Sequence, residues 1–467
     1  MKRLSRFTQS TVFLLLLGLV FCFPVPLGAN RPWFWSPIQM AIVISLMLTL
    51  FARIRRDDTI GSLIDENKVL VILFLVWLGY MLVQIVPLPE PLLSLIAVEK
   101  TELFTERGTL WGGISIDSGK SLEQVGLYFS YILLLSLVVL LLQSRRRLKI
   151  LCFVILAAGL LQFFIAMIIL FRFPDGLIWM GEKIGGERVS GSFINRNHFG
   201  LFLVMCLGIG LGLSRYYRRQ LSRQSIRGLI ASIDGKVIFT TAINGLLFIA
   251  LLYSNSRGAF MAFAGSILVT FFLLKQPDDD TVDWKKILSL VFLVLLGVLY
   301  FGDGGFFGRL LSSNVLQEER LLQSVISLNM LSDFLWLGAG TGTYGLLLPL
   351  YHDGTLRLLI YDHAHNDYLE LLIEQGIFGF ILFFTALVLI MRKLRKAYFN
   401  RKDPLARSII YGVFIAVLAF SFHSMVEFNF YIPANAAYLF IILGIGLAAA
   451  RMPKNSRRRR RQEILRT

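Results

Sequence analysis

Charge is scarce in this sequence, and cysteine is scarcer. Only 16% of its 467 residues are Asp, Glu, Lys or Arg, against about a quarter in a soluble domain. A chain so poor in charge is not built to hide one core behind a solvated surface. Its three cysteines, Cys22, Cys152 and Cys206, all fall inside apolar runs. None sits in a loop beside a partner, so neither a disulfide framework nor a cysteine-based metal site is expected. No P-loop is present, and no dinucleotide-binding fingerprint in its strand–turn–helix setting. Internal repeats and low-complexity linkers are absent as well.

What the sequence has instead is hydrophobicity: 56% apolar residues, 13% aromatic ones and a mean hydropathy of +0.67. Apolar stretches recur along the whole chain, and about 20 such residues suffice to cross a bilayer. We read twelve spans, at 10–29, 37–52, 69–88, 125–143, 148–171, 199–214, 237–253, 258–274, 287–301, 376–391, 407–424 and 433–450. The first is read as a span and not a cleaved signal, because Pro26-Leu27-Gly28-Ala29 makes a poor cleavage site. With the N-terminus inside, 35 of the 47 Lys and Arg fall in cytoplasmic segments and the other 12 outside. Basic residues hold back the translocation of short loops, so this bias sets the orientation, with both termini cytoplasmic.

The expected fold class is therefore an all-α integral membrane protein: a polytopic domain over 1–450 and a basic cytoplasmic tail over 451–467. The net charge of +17 raises a nucleic-acid reading. The basic clusters, however, sit between apolar runs and not along one soluble face, so no nucleic-acid partner is expected. The Arg457–Arg461 run reads as a topology anchor drawn to anionic membrane lipids.

Three outer segments are too long to be turns: 89–124, 172–198 and 302–375. Long loops in compact proteins usually carry function. In the last, Leu321, Leu322, Val325, Ile326, Leu328 and Leu331 recur at helical spacing, predicting a helix over 317–335 that lies against the membrane or the bundle. A second short helix is expected over 366–374. Asp367, Glu370 and Glu374 give it a polar face before Gly376 opens the next span.

The groups able to do chemistry gather outside. His198, His352, His363 and His365 lie in outer loops, His423 at the outer end of a span, and Arg188, Arg196, Arg257 and Arg320 near apolar runs. Ionisable groups beside hydrocarbon are costly and normally pair or serve a site. Arg grips phosphate oxygens with a planar fork that keeps its charge, and His exchanges protons near neutral pH.

His365-Asn366, nine residues on to Gly376, then Gly379, matches the pattern His-Asn-x9-Gly-x2-Gly of the bacterial O-antigen ligase and polymerase superfamily. The strings HAHNDYLELLIEQGIFG, SFINRNHFG (Ser192–Gly200), SNSRGAF (Ser254–Phe260), GAGTGTYG (Gly338–Gly345) and HSMVEFNFYIPANA (His423–Ala436) also resemble that family. The resemblance covers roughly 185–450. It implies a fold similar to other all-helical, metal-independent membrane glycosyltransferases. It further implies transfer of a glycan from undecaprenyl diphosphate, at the periplasmic face of the inner membrane, to a hydroxyl. The acceptor is lipid A core for ligases, another lipid-linked glycan for polymerases, and a protein side chain for some relatives. No cofactor or metal is implied. Residue by residue, the resemblance implies a reactive role for His365 supported by Asn366. It implies diphosphate contacts from Arg257 and Arg320, with Arg196 and His198 at the same pocket and His363, Asp367, His423 and Glu427 as supporting groups. The family usually has Asp where Glu427 stands.

Plainer readings stand beside these. His365 can be a loop cap, and His363-Ala-His365-Asn-Asp367 also spells a His-x-His-x-Asp metal string, though further ligands are few. Arg257 can snorkel to the interface, Arg320 can be a solvated helix face, and His423 with Glu427 can be a buried polar pair. Gly338, Gly340, Gly342 and Gly345 allow either a tight turn or a phosphate-cradling nest. The competing function is a multi-span transporter or lipid-linked glycan flippase. Against it, no half-repeat is visible, and the ionisable residues gather at one face instead of along a path.

Overall fold

A computed structural model describes residues 2–54, 59–96, 111–186, 189–221, 235–275, 315–351 and 362–452. The protein is all-α: the described strands form only two short antiparallel pairs, Leu88–Pro89 with Trp111–Gly112 and Leu177–Trp179 with Glu182–Ile184. Nine described helices are long and apolar enough to cross a membrane, and Phe7–Cys22 and Arg257–Leu273 are shorter apolar helices. Helices overlie the expected spans except 287–301, which lies outside the described residues, as do Arg188, His352 and the tail from 453.

One boundary differs plainly. The first helix, Lys2–Cys22, ends before the expected limit at 29. Pro24 and Pro26 lack the N–H a helix needs. The chain turns through a buried Leu27–Ala29 segment, in which Gly28 faces the Phe193 ring, and a Cβ there would lie 2.6 Å from it.

The bundle is layered from inside outward. The Pro433–Arg451 helix is buried along its whole candidate span, and Arg196–Leu221 and Pro404–His423 are mostly buried. The last two approach closely because their shared seam is built of small residues. A Cβ on Gly412 would lie 2.4 Å from the carbonyl of Gly208, and one on Gly212 would lie 2.7 Å from that of Ser408. Where lipid supplies no hydrophobic drive between helices, such backbone proximity provides the packing contact. Peripheral helices expose Leu75, Phe164, Ile168, Phe171 and Val388, as a lipid-facing surface would. The central helices are the ones whose ends carry the polar residues.

The Val315–Phe334 helix appears where periodicity places it, but its buried face differs from the apolar count. Gln323, Ile326, Ser327, Met330 and Phe334 point inward, whereas Val325 and Leu328 are exposed. Ile326, Met330 and Phe334 pack with Tyr344, Leu347, Ala364 and Ile373 into a second, outer core.

Candidate functional site

The site forms where helix ends meet. The helices beginning at Arg196 and Arg257 touch at their first turns: a Cβ on Gly200 would lie 2.8 Å from that of Ala259. A Cβ on Gly258 would come within 3.3 Å of the His423 ring. The amide of Asp367, opening the next helix, donates to the carbonyl of Ser424 at 2.9 Å. Three helix N-termini thus converge on the turn after His423, and N-termini present positive dipole ends to anions.

His365 sits in the left-handed region at φ 50°, a conformation that costs a non-glycine residue about 1–3 kcal/mol and persists where the surroundings enforce it. Its Nδ1 lies 3.0 Å from Glu427 Oε2, with the His365 side chain 19% exposed and that of Glu427 2%. The other Glu427 oxygen accepts from Asn197 Nδ2 at 2.5 Å. A carboxylate on Nδ1 holds the imidazole in the tautomer whose Nε2 carries a lone pair. Asn366 caps the following helix, its side chain accepting from the amides of Tyr368 and Leu369 at 3.0 and 3.2 Å.

A second histidine–carboxylate pair lies beside the first. His363 Nδ1 is 2.7 Å from Glu370 Oε1, and the carbonyl of His363 accepts from Gln323 Nε2 at 2.5 Å. Burial pulls the His363 pKa down, but the charge and hydrogen bond of Glu370 outweigh it and hold the imidazole above its ordinary value. Phe428 stands among the histidines: its ring centroid is 4.3 Å from that of His363, 4.5 Å from His198 and 4.9 Å from His365. Asn429 reaches both His423 Nδ1 at 3.2 Å and His198 Nδ1 at 3.4 Å, and His198 Nε2 is buried without a hydrogen-bond partner among the described residues.

The acidic residues after His365 are not a solvated face. Asp367, Glu370 and Glu374 are each 0% exposed. Asp367 accepts from the amides of Asn429 and Phe430 at 2.8 and 3.1 Å. Glu370 takes the amide of Ala364 at 2.8 Å besides His363, and Glu374 takes the amide of Tyr344 at 3.0 Å and the Tyr431 hydroxyl. A buried carboxylate without partners is prohibitive; here both oxygens of each are engaged. About two helical turns staple three separate loops, and those loops carry the histidines.

The glycines of GAGTGTYG serve close approach. A Cβ on Gly338 would lie 2.3 Å from the carbonyl of Glu374, and one on Gly340 would lie 2.2 Å from Ser115 Oγ. The amides of Gly338, Ala339 and Gly340 donate to the carbonyls of Phe334, Ile373 and Glu374, so they are not offered to a phosphate. The His-x-His-x-Asp string does not converge either. Its two imidazoles bond different carboxylates, and no described group of three or more His, Cys, Asp or Glu is arranged to hold a metal.

Of the residues singled out by sequence, the structure brings together His198, His363, His365, Asn366, Asp367, His423 and Glu427, with Arg196 and Arg257 half-buried at the heads of adjoining helices. Arg320 falls in the Val315–Phe334 helix, one turn before Gln323; its side chain lies outside the described residues. Asn197, Phe428 and Asn429 complete the cluster and were not singled out, although the quoted strings contain them.

A helical bundle with nine described helices long and apolar enough to cross a membrane, and a histidine- and carboxylate-lined cluster at one end, marks a multi-pass membrane protein. Residues 242–384, about a third of the chain, match the family model described as O-antigen ligase. The matched stretch holds Arg257, Arg320, His363, His365, Asn366 and the two motif glycines, while Arg196, His198, His423 and Glu427 lie outside it. No curated protein matches the chain.

Proposed function

We propose that this protein is a membrane glycosyltransferase. It moves or polymerises a glycan carried on undecaprenyl diphosphate, at the periplasmic face of the inner membrane, in the synthesis of O-antigen, exopolysaccharide or capsule. The observation that carries this reading is the His365–Glu427 pair, which leaves the imidazole partly accessible among helix N-termini headed by Arg196 and Arg257.

In this reading His365 Nε2 takes the proton of the acceptor hydroxyl as its oxygen attacks the anomeric carbon. The bond from that carbon to the diphosphate oxygen breaks, and its electron pair leaves with the lipid diphosphate. Glu427 holds the Nδ1 proton and stabilises the imidazolium that forms. Arg257, Arg196 and Arg320 neutralise the departing charge, and preorganised donors in a water-poor site are usually the largest catalytic contribution. Asn366 supports the reaction by fixing the helix on which His365 is mounted.

The test is to replace the native gene in its host with the His365→Ala form and to analyse surface and lipid-linked glycans. Loss of long glycan from lipid A core with long lipid-linked chains accumulating identifies a ligase. Accumulation of single lipid-linked repeat units identifies a polymerase. Unchanged surface and lipid-linked glycan would overturn the enzyme reading in favour of a transporter or flippase.

A further inference from the structure

At the other end of the central helices, Arg215 and Arg407 converge with no carboxylate bonded to either guanidinium among the described residues. Arg215 lies 17 residues beyond His198 on one helix, or about 26 Å along its axis at 1.5 Å per residue. Arg407 lies in the first turn of the Pro404–His423 helix, which His423 ends. The two therefore sit across the thickness of the bundle from the histidines, a distance close to that of a bilayer's hydrocarbon core.

Both arginines are arranged on one tyrosine. Arg215 Nη2 donates to the hydroxyl of Tyr398 at 2.7 Å, and its guanidinium carbon stands 4.1 Å from the centroid of Tyr411 and 5.6 Å from that of Tyr398. The Arg407 guanidinium stands 4.8 Å from the same Tyr398 ring, and Tyr398 is 2% exposed. Arg219, a turn beyond Arg215, lies within electrostatic reach of both guanidiniums and of Tyr398.

A guanidinium brings five N–H donors and no acceptor. Among the described residues, Arg407 meets no hydrogen-bond acceptor: its contact is the face of Tyr398, and its Nε is buried without a partner. Arg215 has the Tyr398 hydroxyl alone. Asp403, the carboxylate nearest in sequence, is taken by Arg145 and by the amides of Leu405 and Ala406. Elsewhere at this end Lys393 and Arg451 share Glu66, and Arg147 and Arg401 donate to backbone carbonyls. Stacking on aromatic rings fixes both forks in place, but it leaves their donors and their mutual repulsion unanswered.

We propose that Arg215 and Arg407, held on Tyr398, form a binding site for a phosphate oxyanion, filled by the phosphodiester of an anionic membrane lipid. The lipid source follows from position: the site lies at the membrane-surface end of helices whose middles are apolar, where basic pockets between helices meet headgroups. The chemistry alone is shared with free phosphate. A zwitterionic headgroup fits poorly, because it brings a second cation to a site that already has too many.

The experiment uses the full chain, solubilised and stripped of lipid, with thermal stability followed during separate titrations of phosphatidylglycerol, phosphatidylcholine and inorganic phosphate. We expect saturable stabilisation by phosphatidylglycerol. Arg407→Gln and Arg215→Gln should each raise its midpoint about tenfold, the loss expected for one charge-assisted contact. Lys149→Gln, the same charge change elsewhere at that end, should leave it in place. If either glutamine variant fails to fold, Arg407→Lys, which keeps the charge and removes the fork, carries the same expectation. Stabilisation by inorganic phosphate that is sensitive to Arg407, with no added effect of the lipid, supports the site and reassigns its source. Equal responses to phosphatidylglycerol and phosphatidylcholine, or a midpoint unmoved in the Arg215 and Arg407 variants, overturn the proposal.

Discussion

Replacing Glu427 with Gln separates the chemical role of the His365–Glu427 pair from its packing role. Glu427 is 1% exposed, and its oxygens are divided between Asn197 Nδ2 at 2.5 Å and His365 Nδ1 at 3.0 Å. Gln has the same shape. With its oxygen kept on Asn197, its NH2 group faces His365 Nδ1 and makes that nitrogen an acceptor. The ring proton is then driven to Nε2, the atom proposed to take the acceptor's proton. Turning the amide over relieves this only by setting two NH2 groups against each other at Asn197. General-base catalysis is worth about 10² to 10⁴ in rate, or roughly 3 to 5 kcal/mol at 1.36 kcal/mol per tenfold. The structural cost is smaller, about 1–2 kcal/mol for a charged hydrogen bond made neutral. In proteoliposomes supplied with an undecaprenyl-diphosphate-linked glycan and acceptor, turnover should fall at least about a hundredfold. The donor KM should be unchanged and the fold only slightly less stable. Glu427→Asp is one methylene shorter and cannot span both partners, so it should fall between. A Gln variant turning over within about a factor of ten of the parent, less than the smallest effect expected of a base, refutes the assignment.

Three further outcomes follow from the geometry. Gly376 is at φ 62°, ψ −177°, and a Cβ there would lie 2.2 Å from the carbonyl of Trp336. Gly376→Ala should cost more than about 3 kcal/mol and abolish a monodisperse peak in gel filtration, whereas Gly379→Ala, which mainly meets the Gln375 side chain, should be milder. Asn366→Ala should lower stability by about 1 kcal/mol through the lost cap, and Asn366→Asp should restore both stability and activity; a stable but inactive Asp variant would mean that Asn366 does more than cap. For His363, whose pKa is raised in the folded protein by Glu370, the pair contributes fully below the unfolded value of about 6.5, and its contribution is lost as pH rises through the raised folded value. The melting-temperature gap between parent and Glu370→Gln should therefore be widest in mild acid and narrow above neutrality, and a gap that does not change with pH contradicts the pairing.

The long apolar helices were legible because a bilayer imposes length and apolarity on any helix that crosses it, and the histidine cluster because its members fall in segments assigned to one side. The apolar spacing located the Val315–Phe334 helix but not which side of it is buried: Gln323 and Ser327 face inward while Val325 and Leu328 face out. Near a membrane surface an outward apolar residue meets lipid instead of water, so the usual contrast between faces vanishes. The polar face of 367–374 was legible, but its burial was not: the loops that return from 344, 364 and 429 supply the amides that its three carboxylates need. Asn429 and Phe428 lie in a quoted string but nothing in it singles them out; their placement depends on a turn that brings residue 429 back to residues 198, 367 and 423.

The His-Asn-x9-Gly-x2-Gly spacing can now be decomposed into separate physical demands. In the proposed reaction His365 supplies the base, in a left-handed backbone position next to the helix that Asn366 caps. The nine residues between are one short rigid helix, and its buried carboxylates at 367, 370 and 374 recur once per turn to tie down the loops on which the histidines stand. Gly376 ends that helix because only a residue without Cβ lets the chain pass against Trp336 and Gly338, and Gly379 lets the longer helix settle beside Tyr80 and Gln375. Reactivity therefore concentrates at the first position, while the other three hold it in register with Glu427 across the bundle. Substitutions at the glycines should destroy activity by moving His365 and not by touching substrate. Where such variants still fold, their defect should appear as weakened protection of the 363–374 backbone amides from hydrogen exchange, in step with lost turnover. A glycine variant that folds, loses turnover and keeps full protection there would place its effect elsewhere.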